Sequence, residues 1–598
     1  MTDAIVIGSG PNGLVAANVL ADAGWSVVVI EAAPTLGGAV QTAELTAPGF
    51  RNDVFSAFYP LAAASPALTA LRLERHGLRW AHAPAVVAHP RPDGPAAVMH
   101  RDAASTAAAL DVDARGDGRA YTEVVEHWRR VADPFLDCIL RPFPPLTPAA
   151  RLVARTRVRG TLDLARLALV PLRRFVEERF DGESARLLFA GNALHADLTP
   201  ETAGSTLFGW LLVGLGQQHG FPVPVGGAGS LADALVRRAE SLGVRFVTSS
   251  RVDHVIRRGG AAVGVRTADG VQYDATRAVL ADCDARTLFL ELVGADSIDP
   301  AVAGRLRTFQ RSSGTFKVDW ALQAPVPWRD PTVHGAGTVH VADSLDELTM
   351  TAAQLAMGRI PDRPFLVAGQ MTTADPTRSP AGTESLWAYT HVPQEVRGDA
   401  GPDGLDGRWD DAQRQRFAHR MEERIERLAP GFRSSIIARH VMAPADLESR
   451  NENLVGGDIS GGTAQLHQQL VFRPFAGWGR AETGIPGLYL ASASAHPGGG
   501  VHGACGANAA RAALAHDRLG GVDHALAGGL VLGALGPRLP VRGGRCDVPT
   551  LAARPVPPRR ALAPAFATRR AVCGVRRADC GTRTATCGAW RAGDCCGA

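Results

Sequence analysis

The segment "DAIVIGSGPNGLVAANVLADAGWSVVVIE", residues 3–31, constrains this 598-residue chain more than any other stretch. An apolar run, "AIVIG", enters Gly8-x-Gly10-x-x-Gly13, and an alanine-rich helical stretch follows and stops at Gly24. A second apolar run, "SVVVI", ends on Glu31. Each part has a physical task in holding a dinucleotide. Gly8 permits the tight turn, Gly10 lets the backbone approach a pyrophosphate, and Gly13 lets the helix pack closely on the strand. Pro11 and Asn12 open that helix, whose N-terminus offers free N–H groups to phosphates. Glu31 is placed to accept hydrogen bonds from ribose hydroxyls. Strand, turn, helix, strand and acid in this order specify a dinucleotide site, which a lone glycine motif would not.

The next residues, "AAPTLGGAVQT", carry paired glycines at Gly37 and Gly38. With them the segment resembles the N-terminal signature of the flavin amine oxidase and phytoene desaturase superfamily, in which a paired-glycine loop runs along FAD. Most members have arginine after the glycines; here Ala39 stands there. That departure, with "PGFRNDVFSAFYPL" and "HGLRW", resembles the phytoene dehydrogenase-related branch. The resemblance implies FAD as cofactor. It also implies an α/β fold: a Rossmann-like FAD-binding domain of the glutathione reductase type, interleaved with an α+β substrate domain. The expected division is 1–75, 221–300 and 451–520 for the FAD-binding domain. Residues 76–220 and 301–450 then form the substrate domain, and 521–598 a disordered tail rich in Arg, Pro and Cys.

Two later blocks support the resemblance. In "PVPVGGAGSLADALVRRAESLGVRFVTSSRVDHVIRRGG" the family places the backbone near Val252 against the adenine. In "GLYLASASAHPGGGVHGACGANAARAALAHDRLG" a strand leads through Gly499, Gly500 and Val501 into a helix beginning near Ala504. The family aims that helix N-terminus at the flavin ring, where negative charge develops on reduction. His496 and His502 flank this loop as candidates to contact flavin or substrate; loop histidines bonded to backbone are the plainer alternative. No second GxGxxG follows a strand, and Cys138, Cys283 and Cys505 are far apart, so a disulfide reductase mechanism with its own nicotinamide fold is excluded.

Of 63 basic side chains, one alone is lysine: Lys317, in "SSGTFKVDWAL". The strand alternates, with Phe316, Val318, Trp320 and Leu322 on one face and Lys317 and Asp319 on the other. The polar face meets either solvent, as an energetically minor surface pair, or a cavity. The resemblance implies the second, because many flavin amine oxidases carry on such a strand a lysine that holds a water beside the flavin. A compact ammonium whose pKa falls on burial suits that position, and guanidinium does not.

From residue 521 onward the chain has 12 arginines against 4 aspartates, so the preceding 520 residues are mildly acidic. Nothing there invites nucleic acid. The tail holds six of the nine cysteines without the close pairs of a zinc site, and no metal is expected. The longest apolar stretch, "TLFGWLLVGLG", is about half a membrane span. A strand starting almost at the initiator leaves no room for a leader peptide, so a cytoplasmic protein is expected. From Arg151, "RLVARTRVRGTLDLARLALVPLRRFVEERF" reads as a solvated helix face, with peripheral contact to a membrane surface as the alternative.

The resulting expectation is an FAD-dependent oxidoreductase that removes hydride from an apolar or amphiphilic small molecule, passing electrons to oxygen, a quinone or another acceptor. Amine oxidation and flavin-dependent isomerisation are the competing chemistries. A flavin-holding scaffold that acts through a protein partner, such as a respiratory component, is the competing class.

Overall fold

The computed structural model describes residues 1–519. The expected tail, 521–598, lies outside the described residues.

The architecture is α/β and rests on two seven-stranded sheets. The first collects Thr2–Ile7, Val27–Ile30, Arg245–Val247, Gln272–Ala281 and Leu488–Leu490 as parallel strands. Val252–Arg258 and Ala261–Thr267 extend it as antiparallel strands beyond Gln272–Ala281. The strand Val27–Ile30 is buried along its whole length, as its unbroken apolar run requires in a sheet covered on both faces. Helix Pro11–Asp22 packs on this sheet and against Ala504–Arg518. Gly506 marks their contact: a Cβ there would lie 1.8 Å from the Asn12 carbonyl oxygen. The two helices therefore start side by side.

The second sheet runs in the order Ile436–Met442, Gly314–Leu322, Glu384–Val392, Leu366–Gln370, Ala336–Val341, Ala85–His89 and Ala97–Met99. One face packs on Asp411–Leu428, with Phe316, Val318, Trp320 and Leu322 meeting Phe417, Met421 and Phe432. The other carries helices Asp117–Leu140, Glu183–Leu194 and Ser205–His219 around Trp128 and Trp210. The stretch "TLFGWLLVGLG" lies in the last of these helices, in the protein core. Among the described residues no helix is long and apolar enough to cross a membrane.

Candidate active site

The first strand ends where the glycine turn begins, and the turn is shaped by a residue from the far side of the sequence. Asp282 follows Gln272–Ala281, the parallel neighbour of Thr2–Ile7. Its Oδ2 accepts the Gly13 N–H at 2.8 Å. A Cβ on Gly8 would lie 2.9 Å from the Asp282 carbonyl oxygen, on Gly10 2.6 Å from Oδ2, and on Gly13 2.3 Å from the Gly8 carbonyl oxygen. All three positions therefore exclude a side chain. Burial pushes the Asp282 carboxyl up to about 7, against the Gly13 N–H and with help from Glu31. A carboxyl raised this far is only partly ionised near neutral pH and so repels a phosphate held at the turn less than an ordinary aspartate would.

Glu31 closes this cradle. Its Oε2 accepts the Ser9 N–H and hydroxyl, both at 2.7 Å, and Oε1 accepts the Ala33 N–H at 2.9 Å. The carboxylate thus braces the turn, while further lone pairs remain for ribose hydroxyls. Gly37 and Gly38 have φ of +115° and +55°. A Cβ on Gly38 would lie 2.7 Å from the Gly10 Cα, so the second glycine loop lies directly on the first. Ser250, two residues before Val252, donates its N–H to the Glu31 carbonyl at 2.9 Å, which brings that strand's start to the cradle's edge.

A cavity of about 370 Å³ begins at Gly10, Pro11 and Asn12 and runs past Gly499, Gly500 and Val501 to Lys317. The N-terminus of the helix starting at Pro11 lines its first half, as do Gly499, Gly500 and Val501, the residues that lead to the helix starting at Ala504. Its other half is walled by aromatic and aliphatic side chains that include Phe58, Phe208 and Leu212. Lys317 is 3% exposed and Asp319 fully buried, so the polar face of their strand does not meet solvent. Nζ donates to the Asp319 carboxylate at 2.6 and 2.5 Å and lies 6.0 Å from the Trp387 ring centroid. Burial raises the Asp319 pKa against the pull of the Lys317 charge. Strand register sets Lys317 opposite Tyr389 and Asp319 opposite Trp387, and both aromatic residues line the cavity.

The sequence profile described as "Flavin containing amine oxidoreductase" matches residues 12–288. The mouse (Mus musculus) protein named "Pyridine nucleotide-disulfide oxidoreductase domain-containing protein 2" is 29% identical over 550 residues, covering 85% of this chain and 92% of its own length. "Phytoene desaturase (lycopene-forming)" of Pseudescherichia vulneris is 26% identical over 349 residues, 57% of this chain and 64% of its own. The chain is similar to phytoene dehydrogenase-related flavin oxidoreductases. Cyclohexylamine oxidase from Brevibacterium oxydans IH-35A shares the fold, with a TM-score of 0.54 at 15% identity over 86% of this chain and 99% of that one.

The protein is accordingly an FAD-dependent oxidoreductase. The residues present fit that flavin: the jammed glycine turn, the paired-glycine loop on top of it and the helix N-terminus at Pro11 form a cradle that side chains would fill. Gly10, Pro11, Asn12, Gly499, Gly500, Val501 and Lys317 meet around one cavity. His496 and His502 do not line it. The His496 Nε2 bonds the Arg141 carbonyl at 2.9 Å, and the His502 Nδ1 accepts the Ala504 N–H at 3.0 Å. Burial lowers both to about 4, so these are neutral rings tied to backbone. Among the cavity residues that the sequence did not single out are Asp282, His195 and Tyr389. Asp282 carried a signal, since it ends the strand that returns to the nucleotide sheet; His195 and Tyr389 carried none.

Proposed function

We propose that this flavin oxidoreductase dehydrogenates a long apolar or amphiphilic substrate, forming a carbon–carbon double bond, with oxygen, a quinone or another acceptor as the final oxidant. One observation carries the reading: the cavity passes without interruption from the nucleotide turn to apolar walls. The name of the Pseudescherichia relative supports it. Bound FAD supplies the oxidising centre. The chain supplies the rest. Gly8, Gly10, Pro11, Asn12, Gly13, Glu31, Gly37, Gly38 and Val252 hold the nucleotide end, and Gly499, Gly500 and Val501 approach the ring. The apolar walls orient the substrate and exclude water. Lys317, steadied by Asp319, holds a water at the reacting end, while His496 and His502 keep the closing loop in shape.

Anaerobic mixing with long-chain polyenes and isoprenoids should bleach the flavin in a single phase for at least one of them. A flavin that stays oxidised with all of them, but bleaches with amines, would transfer the protein to amine oxidation. Trp387 and Tyr389 argue against that outcome. Their rings are nearly parallel, at 15°, with centroids 6.0 Å apart, closer than two rings with a substrate amine held between their faces would stand. A flavin that no compound reduces would favour the scaffold class.

The substrate's route in is proposed to be a membrane surface. In Leu146–Leu169, broken at Arg157, only Pro148 and Leu167 are buried. Leu146, Val158 and Leu162 are 73%, 76% and 65% exposed among five arginines. Exposed leucine and valine beside arginine match an anionic bilayer surface. The protein should cosediment with anionic vesicles, and Val158→Glu with Leu162→Glu should lower the bound fraction several-fold. Equal sedimentation of the two proteins would return the helix to a solvated face.

A further inference from the structure

The apolar half of the cavity is interrupted by a polar pair that the reading above leaves unused. His195 follows the helix Glu183–Leu194 and lines the cavity. His340 stands behind it on Ala336–Val341 and is fully buried. Their Nε2 atoms are 2.6 Å apart, so a proton must lie between them. Burial keeps both rings neutral. It takes His195 down to about 4, with His391 pushing the same way and Asp197 opposing, and His340 well below the usual imidazole range.

A neutral pair that shares one proton has two arrangements. If His195 is the donor, His340 must carry its own proton on Nδ1. That atom is buried without a partner and pressed against the neighbouring helix, where a Cβ on Gly191 would lie 2.2 Å away. Buried N–H groups without an acceptor are rarer in folded proteins than unpaired acceptors. If His340 is the donor, its Nδ1 holds only a lone pair, and the His195 proton sits on Nδ1. That nitrogen has no hydrogen-bond partner among the described residues and, unlike Nδ1 of His340, is not sealed off. With Nε2 turned to His340, the Nδ1 edge is the one left to the cavity.

We infer that His195 Nδ1–H is a fixed hydrogen-bond donor in the cavity wall, and that it recognises an oxygen, hydroxyl or carbonyl, on an otherwise apolar substrate chain. This specifies the substrate class within the dehydrogenation proposed above and rests on that reading. Tyr389 brings a hydroxyl to the same cavity, its ring edge-on to His391 at 5.7 Å. A pure hydrocarbon would strip water from the His195 N–H and return nothing, and a site built around a donor discriminates against such ligands.

The test is binding to the FAD-loaded enzyme of phytol against phytene, its hydrocarbon counterpart, in mixed micelles, read by perturbation of the flavin spectrum. Micelle partition cancels when the alcohol-to-hydrocarbon affinity ratio is compared between variants. The wild-type ratio should exceed that of His195→Phe about tenfold, as one buried hydrogen bond implies. His195→Asn, which keeps an N–H near the Nδ1 position, should retain most of the preference. His340→Phe, which frees the His195 tautomer without altering the cavity lining, should lose part of it, and it decides the matter if His195→Phe fails to hold FAD. A ratio unchanged in both phenylalanine variants overturns the inference. Because binding is read without turnover, failure of the dehydrogenation reading would show separately, as preferential binding of the alcohol with no flavin bleaching by any chain.

Discussion

Gly13→Val is expected to give a folded protein that purifies without colour. The Cβ would meet the Gly8 carbonyl oxygen at 2.3 Å and the Asp282 Oδ2 at 3.1 Å. The first of these is backbone and cannot swing aside as a side-chain tip would. Relief therefore requires the turn to open, which breaks the 2.8 Å bond from the Gly13 N–H to Asp282 and shifts the helix N-terminus off the phosphate position. Overpacking of about 1–3 kcal/mol, taken from cofactor binding, weakens FAD roughly 5- to 150-fold. Flavin content and far-UV circular dichroism of the purified variant check both halves. Full flavin occupancy would mean that the cofactor does not depend on this turn.

Lys317→Met is expected to keep FAD but slow flavin reduction or reoxidation by roughly 100-fold, the lower end of what a positioned proton-handling group contributes. It also has a stability signature with a definite sign. Burial already raises the Asp319 pKa, and Lys317 is the largest influence opposing that rise. Without the ammonium the folded pKa climbs further above the unfolded value. A carboxyl with a raised folded pKa contributes stability below its unfolded pKa and loses it as pH rises through the folded one. The variant should therefore lose stability from about pH 4 upward, by about 3–5 kcal/mol once Asp319 is ionised. Adding Asp319→Leu should abolish that pH dependence without restoring the rate. Urea titrations at several pH values and stopped-flow half-reactions separate the two effects. A double variant with wild-type kinetics would assign the pair to packing alone.

Legibility in the sequence followed distance along the chain. The strand, turn, helix and second strand of residues 2–31 could be read because glycine spacing and apolar runs are local signals with a local structural cause. The closing helix at Ala504 was legible for the same reason. The strand 314–322 was half legible: its alternation separated Trp320 from Lys317, but solvent and a cavity place the same demand on a polar face. Only the packing of Glu384–Val392 and the helices behind it shows that Lys317 is enclosed. Asp282 reaches Gly13 from 269 positions away, and His195 finds His340 across 145. No local pattern encodes such meetings, because the sheet order brings them about. His496 and His502 were left open in the sequence between chemistry and backbone bonding. Their place beside a glycine loop suggested chemistry, and the fold uses their ring nitrogens to fasten backbone.

The central claim is that this chain uses FAD, held in its glycine cradle, to oxidise a substrate in the adjoining cavity. The visible spectrum of the protein as purified, with the released cofactor identified by mass, tests it most directly. The protein should be yellow and release about one FAD per chain on denaturation, the single site that the strand, glycine turn and helix of residues 3–22 provide. A colourless protein that takes up no FAD on reconstitution would contradict it.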